Sequence, residues 1–125
     1  DSRKLTFFCG HDSNIYTTLG ALGVKDYLCP KTYERKTPMG GAILIEKWMD
    51  IDTKKEYYSI CLVYQSLYQL EEIPNLELDK APVKYHLSFN DLNENEDGLV
   101  LASDFETKLL ESINAYDKLK KQYCE

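Results

Sequence analysis

Two residues that can handle protons and anions stand side by side near the start of this chain. They are His11 and Asp12, in Phe8-Cys9-Gly10-His11-Asp12-Ser13-Asn14. An imidazole can donate a hydrogen bond to an oxyanion, and a protonated carboxyl can act as an acid. Their setting sharpens the reading. Ahead of them runs Leu5-Thr6-Phe7-Phe8-Cys9, an apolar stretch that predicts a buried strand ending at Gly10. Behind them Ile15, Leu19 and Leu22 fall on one face of a predicted helix over Asp12–Leu22, with Ser13 or Asp12 as its cap and Gly23 as its stop. A strand that turns sharply into a helix presents its carboxyl end to ligands, and the helix start offers free N–H groups and a positive dipole end. The expectation is an anion site with His11 and Asp12 at its edge.

The remaining chemistry is sparse. The four cysteines, Cys9, Cys29, Cys61 and Cys124, form no C-x-x-C pair, which argues against zinc. Cys9 and Cys61 lie in strand-like apolar runs and read as small buried hydrophobes. Cys29 and Cys124 lie in loop-like or terminal contexts and could pair in an oxidising compartment, with no connectivity legible from sequence. A metal-dependent hydrolase built on a His-Asp pair needs further ligands. The only other histidine, His86, falls on the outward side of its segment, so a metal site is disfavoured.

The length, 125 residues, fits a single domain with a real core. The net charge of −6 argues against a nucleic-acid partner. A small anionic substrate remains compatible with it, because a site can be locally positive. Apolar runs are far below the roughly 18–20 residues that span a bilayer. The opening Asp1-Ser2-Arg3-Lys4 runs straight into the first strand and reads as a cut from a longer protein.

The elements that must hold the site follow in order. Val24–Met39 is a loop punctuated by Pro30 and Pro38. Gly40-Gly41 opens a strand, Ala42–Trp48, and after a polar turn at Asp50–Lys55 a second strand, Tyr57–Ser66, completes a hairpin. Ile43 and Ile45, then Ile60, Leu62 and Tyr64, take alternate positions and predict at least one buried face. Leu67–Leu78 reads as a loop with one helical turn, Val83–Phe89 as a half-exposed edge strand, and Asn90–Gly98 as an acidic loop. Ser103–Lys121 reads as a helix with a Ser103/Glu106 capping box and a stripe of Phe105, Leu109, Ile113 and Tyr116.

Taken together, the motifs carry a resemblance. Phe8-Cys9-Gly10-His11-Asp12-Ser13-Asn14 resembles the second signature of the histidine acid phosphatases, in the branch of phytases and glucose-1-phosphatases. Pro38-Met39-Gly40-Gly41 with the strand through Glu46-Lys47-Trp48 is similar to that family's Pro-x-Gly-Gly strand. Leu62-Val63-Tyr64-Gln65 is similar to the strand that follows, and the helix entered after Ser103-Asp104-Phe105 fits the family's layout. The match covers roughly residues 5–115, in order.

The resemblance implies the C-terminal segment of an α/β phosphatase: part of a three-layer α/β sandwich with a central strand-turn-helix, a β-hairpin, an edge strand and a C-terminal helix. It implies phosphomonoester hydrolysis through a phosphohistidine, with no cofactor or metal. By analogy His11 contacts the phosphate and Asp12 is the general acid that protonates the leaving alkoxide, while Ser13 and Asn14 orient the turn and lie within reach of substrate. Asp12 must hold its proton at the working pH, which points to an acidic optimum. The family's nucleophilic Arg-His-Gly-x-Arg is absent, and Arg3 and Arg35 are the only arginines. The chain alone is therefore expected to be inactive, with the N-terminal part of the same protein as its partner. Bare strand edges predict self-association. An exported location, periplasmic or secreted, is implied by the resemblance alone. The alternative is a non-catalytic module that uses the same scaffold to bind a partner, with Asn90–Gly98 and the ten tyrosines as its contacts.

Overall fold

The computed structural model describes residues 4–73 and 75–124. Its centre is an antiparallel sheet. Strand β1 (Ala42–Met49) pairs with β2 (Glu56–Tyr64) from Ala42 opposite Val63 to Met49 opposite Glu56. Asp50 closes the turn between them: its carboxylate accepts the N–H groups of Asp52 and Thr53, both at 2.8 Å. Those two bonds hold the Asp50 carboxyl below its ordinary range. The other side of β2 is shared end to end by β3 (Val83–His86) and the short β4 (Val100–Leu101). The hairpin and the edge position of β3 follow the expectation. The strand expected over Val83–Phe89 continues only as far as His86, although Leu87 N–H still donates to the Ile60 carbonyl at 3.0 Å.

Period-two alternation along β2 builds the core. Ile60, Leu62 and Tyr64 are each at most 1% exposed and meet Leu87, Phe89, Val100 and Phe105. Leu19 of helix α1 (Asp12–Ala21), Leu22 at its C-cap and the start of helix α3 (Ala102–Cys124) join the same cluster. Phe105 is the keystone of the aromatic part, 5.0 Å from Tyr58 and 5.8 Å from Phe89 between ring centres. The predicted face of β1 is covered less well: Ile43 is half-buried, whereas Ile45 is exposed.

Helix α1 ends as its sequence asks. Gly23 takes φ +69, its N–H donates to Gly20, and the Val24 N–H reaches back to Leu19 at 3.1 Å. That pair of bonds closes the last turn, with Val24 packed beside the core that holds Leu19. A left-handed residue here would cost a side-chain-bearing amino acid strain, so glycine is the residue of choice.

The long connection from Val24 to β1 is irregular, as expected, but it is tied at many points. Cys29 N–H donates to the Arg35 carbonyl at 2.8 Å, Tyr64 hydroxyl donates to the Pro30 carbonyl at 2.9 Å, and Leu67 N–H donates to Lys31 at 2.8 Å. Cys29 is fully buried and unpaired, and Cys124 is exposed and free, so the pair considered from sequence is not formed. Burial, with the Cys29 thiol beside it, pushes the Tyr64 phenol up to about 12. A raised phenol binds its proton more tightly folded than unfolded. Its contribution to stability is complete below pH ~10, the ordinary tyrosine value, and is lost as pH rises through about 12. Urea unfolding followed across that interval should show stability falling with pH, and the slope should flatten in Tyr64→Phe. An identical slope in the variant would assign the loss to other groups.

Several local expectations are corrected. Helix α3 begins at Ala102, so Ser103 lies inside its first turn and is no cap. The Ser103 hydroxyl donates to Asp104, and Glu106 accepts from the Tyr58 hydroxyl at 3.1 Å instead of closing a capping box. The stripe on α3 is buried at Phe105 alone, while Leu109, Ile113 and Tyr116 are exposed. Leu67–Glu72 forms the short helix α2 after Ser66, whose hydroxyl accepts the Gln69 N–H. Gln69, 8% exposed, ties the next loop down by donating to the Lys80 and Ala81 carbonyls. Among the described residues no helix is long and apolar enough to cross a membrane.

Candidate functional site

The first turn of α1 carries all four residues singled out above. His11 is the N-cap, with extended backbone (φ −118, ψ 173), and its carbonyl accepts the N–H groups of Asn14 at 3.0 Å and Ile15 at 3.3 Å. The Asn14 side chain reaches back the other way: its Oδ1 accepts the His11 N–H at 2.8 Å. Asp12 accepts the Ser13 N–H on Oδ1 at 2.7 Å, and Ser13 offers its carbonyl to the Thr17 hydroxyl at 2.8 Å. The cap is therefore His11 with Asn14 closing on it, in place of the Asp12 or Ser13 cap expected from residue preference. A carboxylate in the first turn is favourably placed against the helix dipole.

One residue of this turn carries a role that residue-type reasoning passed over. A β-carbon built on Gly10 would stand 2.8 Å from Asn14 Oδ1. Gly10 is bare so that Asn14 can fold back over the His11 backbone. The signal was present in the sequence as the ordered string Gly-His-Asp-Ser-Asn, in which an Asn three residues past the cap position matches the reciprocal geometry of a capping box.

All of His11, Asp12, Ser13 and Asn14 are exposed. The reason lies one step upstream. Leu5–Cys9 is not a strand: none of these residues pairs with a described strand, Phe7 is 86% exposed and Phe8 94%, and Cys9 is exposed as well. A central strand needs neighbours on both edges and cover on both faces, and the described residues supply neither. The same gap explains why Cys9 misses its expectation while Cys61, inside β2, is buried. Arg35 is turned to its own loop, Nε donating to the Cys29 carbonyl at 3.4 Å. His86 stands on the outward side of β3, where its Nε2 meets Glu94 at 3.3 Å. Among the described residues no three His, Cys, Asp or Glu side chains gather as a metal site would require.

Comparison with known proteins places this turn in context. A family model described as histidine phosphatase superfamily, branch 2, matches residues 1–65. The chain belongs to that family. A glucose-1-phosphatase of Providencia rettgeri is 31% identical over 113 residues, which is 90% of this chain and 27% of the relative. A glucose-1-phosphatase of Salmonella typhimurium is 41% identical over 81 residues, 65% of this chain and 19% of the relative. The apo structure of Hafnia alvei phytase superposes with a TM-score of 0.74 at 34% identity, covering 82% of this chain and 25% of that one. The mixed α/β arrangement thus matches a segment, about a quarter, of the phytase fold. The chain spans about a quarter of the length of the relatives it matches most broadly.

Proposed function

We propose that this chain supplies the proton-donor side of a phosphomonoesterase active site. The observation that carries the reading is the cap in which Asn14 Oδ1 accepts the His11 N–H, which holds the backbone of His11-Asp12 at the start of a helix in a chain of the branch 2 phosphatase family. In this reading the nucleophilic histidine and the phosphate-gripping arginines come from the remainder of the family's fold, upstream of this segment. The nucleophile attacks phosphorus, the ester P–O bond breaks, and the proton on the Asp12 carboxyl passes to the departing alkoxide oxygen. An alkoxide is a poor leaving group until it is protonated. His11 donates to a non-bridging oxygen of the transferring phosphoryl group, where charge is spread in the transition state. The N–H groups at the head of α1 add a fixed positive potential. Ser13 and Asn14 hold the turn and lie beside the substrate.

The test is a chimera. The matched segment of the Providencia rettgeri glucose-1-phosphatase is replaced by this chain, and hydrolysis of one aryl and one alkyl phosphate is followed at acidic pH. The chimera is expected to turn over both substrates, and the 125-residue chain alone neither. Ordinary turnover by the isolated chain would overturn the assignment of roles. So would a folded chimera without activity.

A further inference from the structure

Asp12 shares its side of α1 with two other residues. Asp12, Tyr16 and Gly20 stand four residues apart and fall in one strip along the helix. The other positions are already engaged. Ile15 and Leu19 pack into the core. Thr18 and Ala21 face α3, where Ser112 Oγ donates to the Ala21 carbonyl at 3.3 Å. The Thr17 hydroxyl turns back to the Ser13 carbonyl at 2.8 Å. Tyr16 is a large aromatic residue left 60% exposed. On its strip a carboxyl stands ahead of it and a bare glycine behind, where a β-carbon built on Gly20 would meet no atom within 4 Å.

A helical side chain leans toward the N-terminus, over the turn ahead of its own Cα. Residues at i and i+4 stand about 5–6 Å apart between β-carbons. The Tyr16 ring therefore belongs to the turn that carries Asp12. It is also backed by a fastened loop. The Tyr27 hydroxyl donates to the Lys36 carbonyl at 2.7 Å, and Lys36 Nζ stands 4.9 Å from the centre of the Tyr27 ring. Burial, then the Cys29 thiol and the Tyr16 phenol, hold the Tyr27 phenol above its ordinary range, which sets Tyr16 beside that loop. In the proposed reaction the Asp12 proton passes to the ester oxygen, so the carbon skeleton of the alcohol starts one bond beyond that oxygen. An aromatic face at this place lets a ring-bearing alcohol bury apolar surface, and gives a two-carbon alcohol little to bury.

Resting on the proposed function, we infer that Tyr16 is a specificity-determining residue whose ring contacts the leaving alcohol and favours alcohols that carry a ring. The experiment compares cyclohexyl phosphate with ethyl phosphate in the chimera at acidic pH. Both leaving groups are alkoxides and both need the Asp12 proton, so their ratio of kcat/KM reads the contact and not the acid. Tyr16→Ala should lower the cyclohexyl-to-ethyl ratio about tenfold, the scale on which an apolar contact discriminates. Tyr16→Phe keeps the ring and should retain the ratio. A merely structural role would lower both rates together and leave the ratio where it was. Calorimetric titration with cyclohexylphosphonate and ethylphosphonate, which have no ester bond to break, reads the same preference as a ratio of Kd values and needs no turnover. A ratio that Tyr16→Ala leaves unchanged overturns the inference, as does a fall that Tyr16→Phe shares. The two readings fail separately. An inactive chimera whose phosphonate preference depends on the Tyr16 ring sinks the function and leaves the contact standing, whereas an active, Asp12-dependent chimera whose ratio ignores Tyr16 does the reverse.

Discussion

Asp12→Asn in the chimeric phosphatase is expected to slow hydrolysis of an alkyl phosphate by about 10²–10⁴-fold, the range a positioned general acid contributes. The amide keeps the shape of the carboxyl and can still accept the Ser13 N–H that Asp12 Oδ1 takes at 2.7 Å. What it lacks is the proton. The comparison with an aryl phosphate isolates that proton, because a phenoxide departs without help and should lose far less. A uniform loss on both substrates would point to a disturbed turn. Asn14→Ala reads that disturbance directly: it removes the acceptor of the His11 N–H and should lower both rates together. Equal rates for wild type and Asp12→Asn on the alkyl substrate would remove Asp12 from the mechanism.

Phe105→Ala should cost about 3–5 kcal/mol of folding stability. Phe105 is 1% exposed and touches Tyr58 from α3 and Phe89 from the loop after β3, so truncation opens a cavity at the point where helix and sheet meet. Set against the ~5–15 kcal/mol that domains of this size possess, the loss removes from about a fifth to nearly all of the margin. Urea unfolding monitored at 222 nm measures it. Leu109→Ala on the same helix, at a 36% exposed position, is the control and should cost much less. Similar costs at both positions would mean that the core does not end where burial says it does.

The hairpin was the most legible part of the chain. Its two runs alternate with period two around Asp50–Lys55, and the Asp50 turn that joins them is local chemistry. Helix α1 was legible for the same reason, since Gly23 and Val24 write its end in the sequence itself. The strand at Leu5–Cys9 was not legible correctly, because an apolar run reports what a segment can bury and says nothing about whether neighbours are at hand. Phe7 and Phe8 have the composition of a core and the exposure of a surface. The cap of α1 was misread for a different reason. Residue preference favours Ser and Asp over His at that position, but the bare Gly10 lets Asn14 close on the His11 backbone, and a reciprocal bond outweighs a preference. Ser103 failed as a cap because β4 runs directly into α3 and leaves no free turn before it. For the candidate site, the residues were readable as a string, while the means of holding them came only with the fold.

The connection between α1 and β1 has a consequence for how such a chain can change over generations. Its arms are fastened at Cys29, Pro30, Lys31 and Arg35 to each other and to the end of β2, and Cys29 is sealed in the core. Between those fastenings Tyr33 is 80% exposed. Residues inserted or exchanged at this tip meet solvent, whereas a change in either arm pulls on the strand that carries Tyr64. Divergence between related chains should therefore collect at the tip, beside arms that stay nearly constant in length.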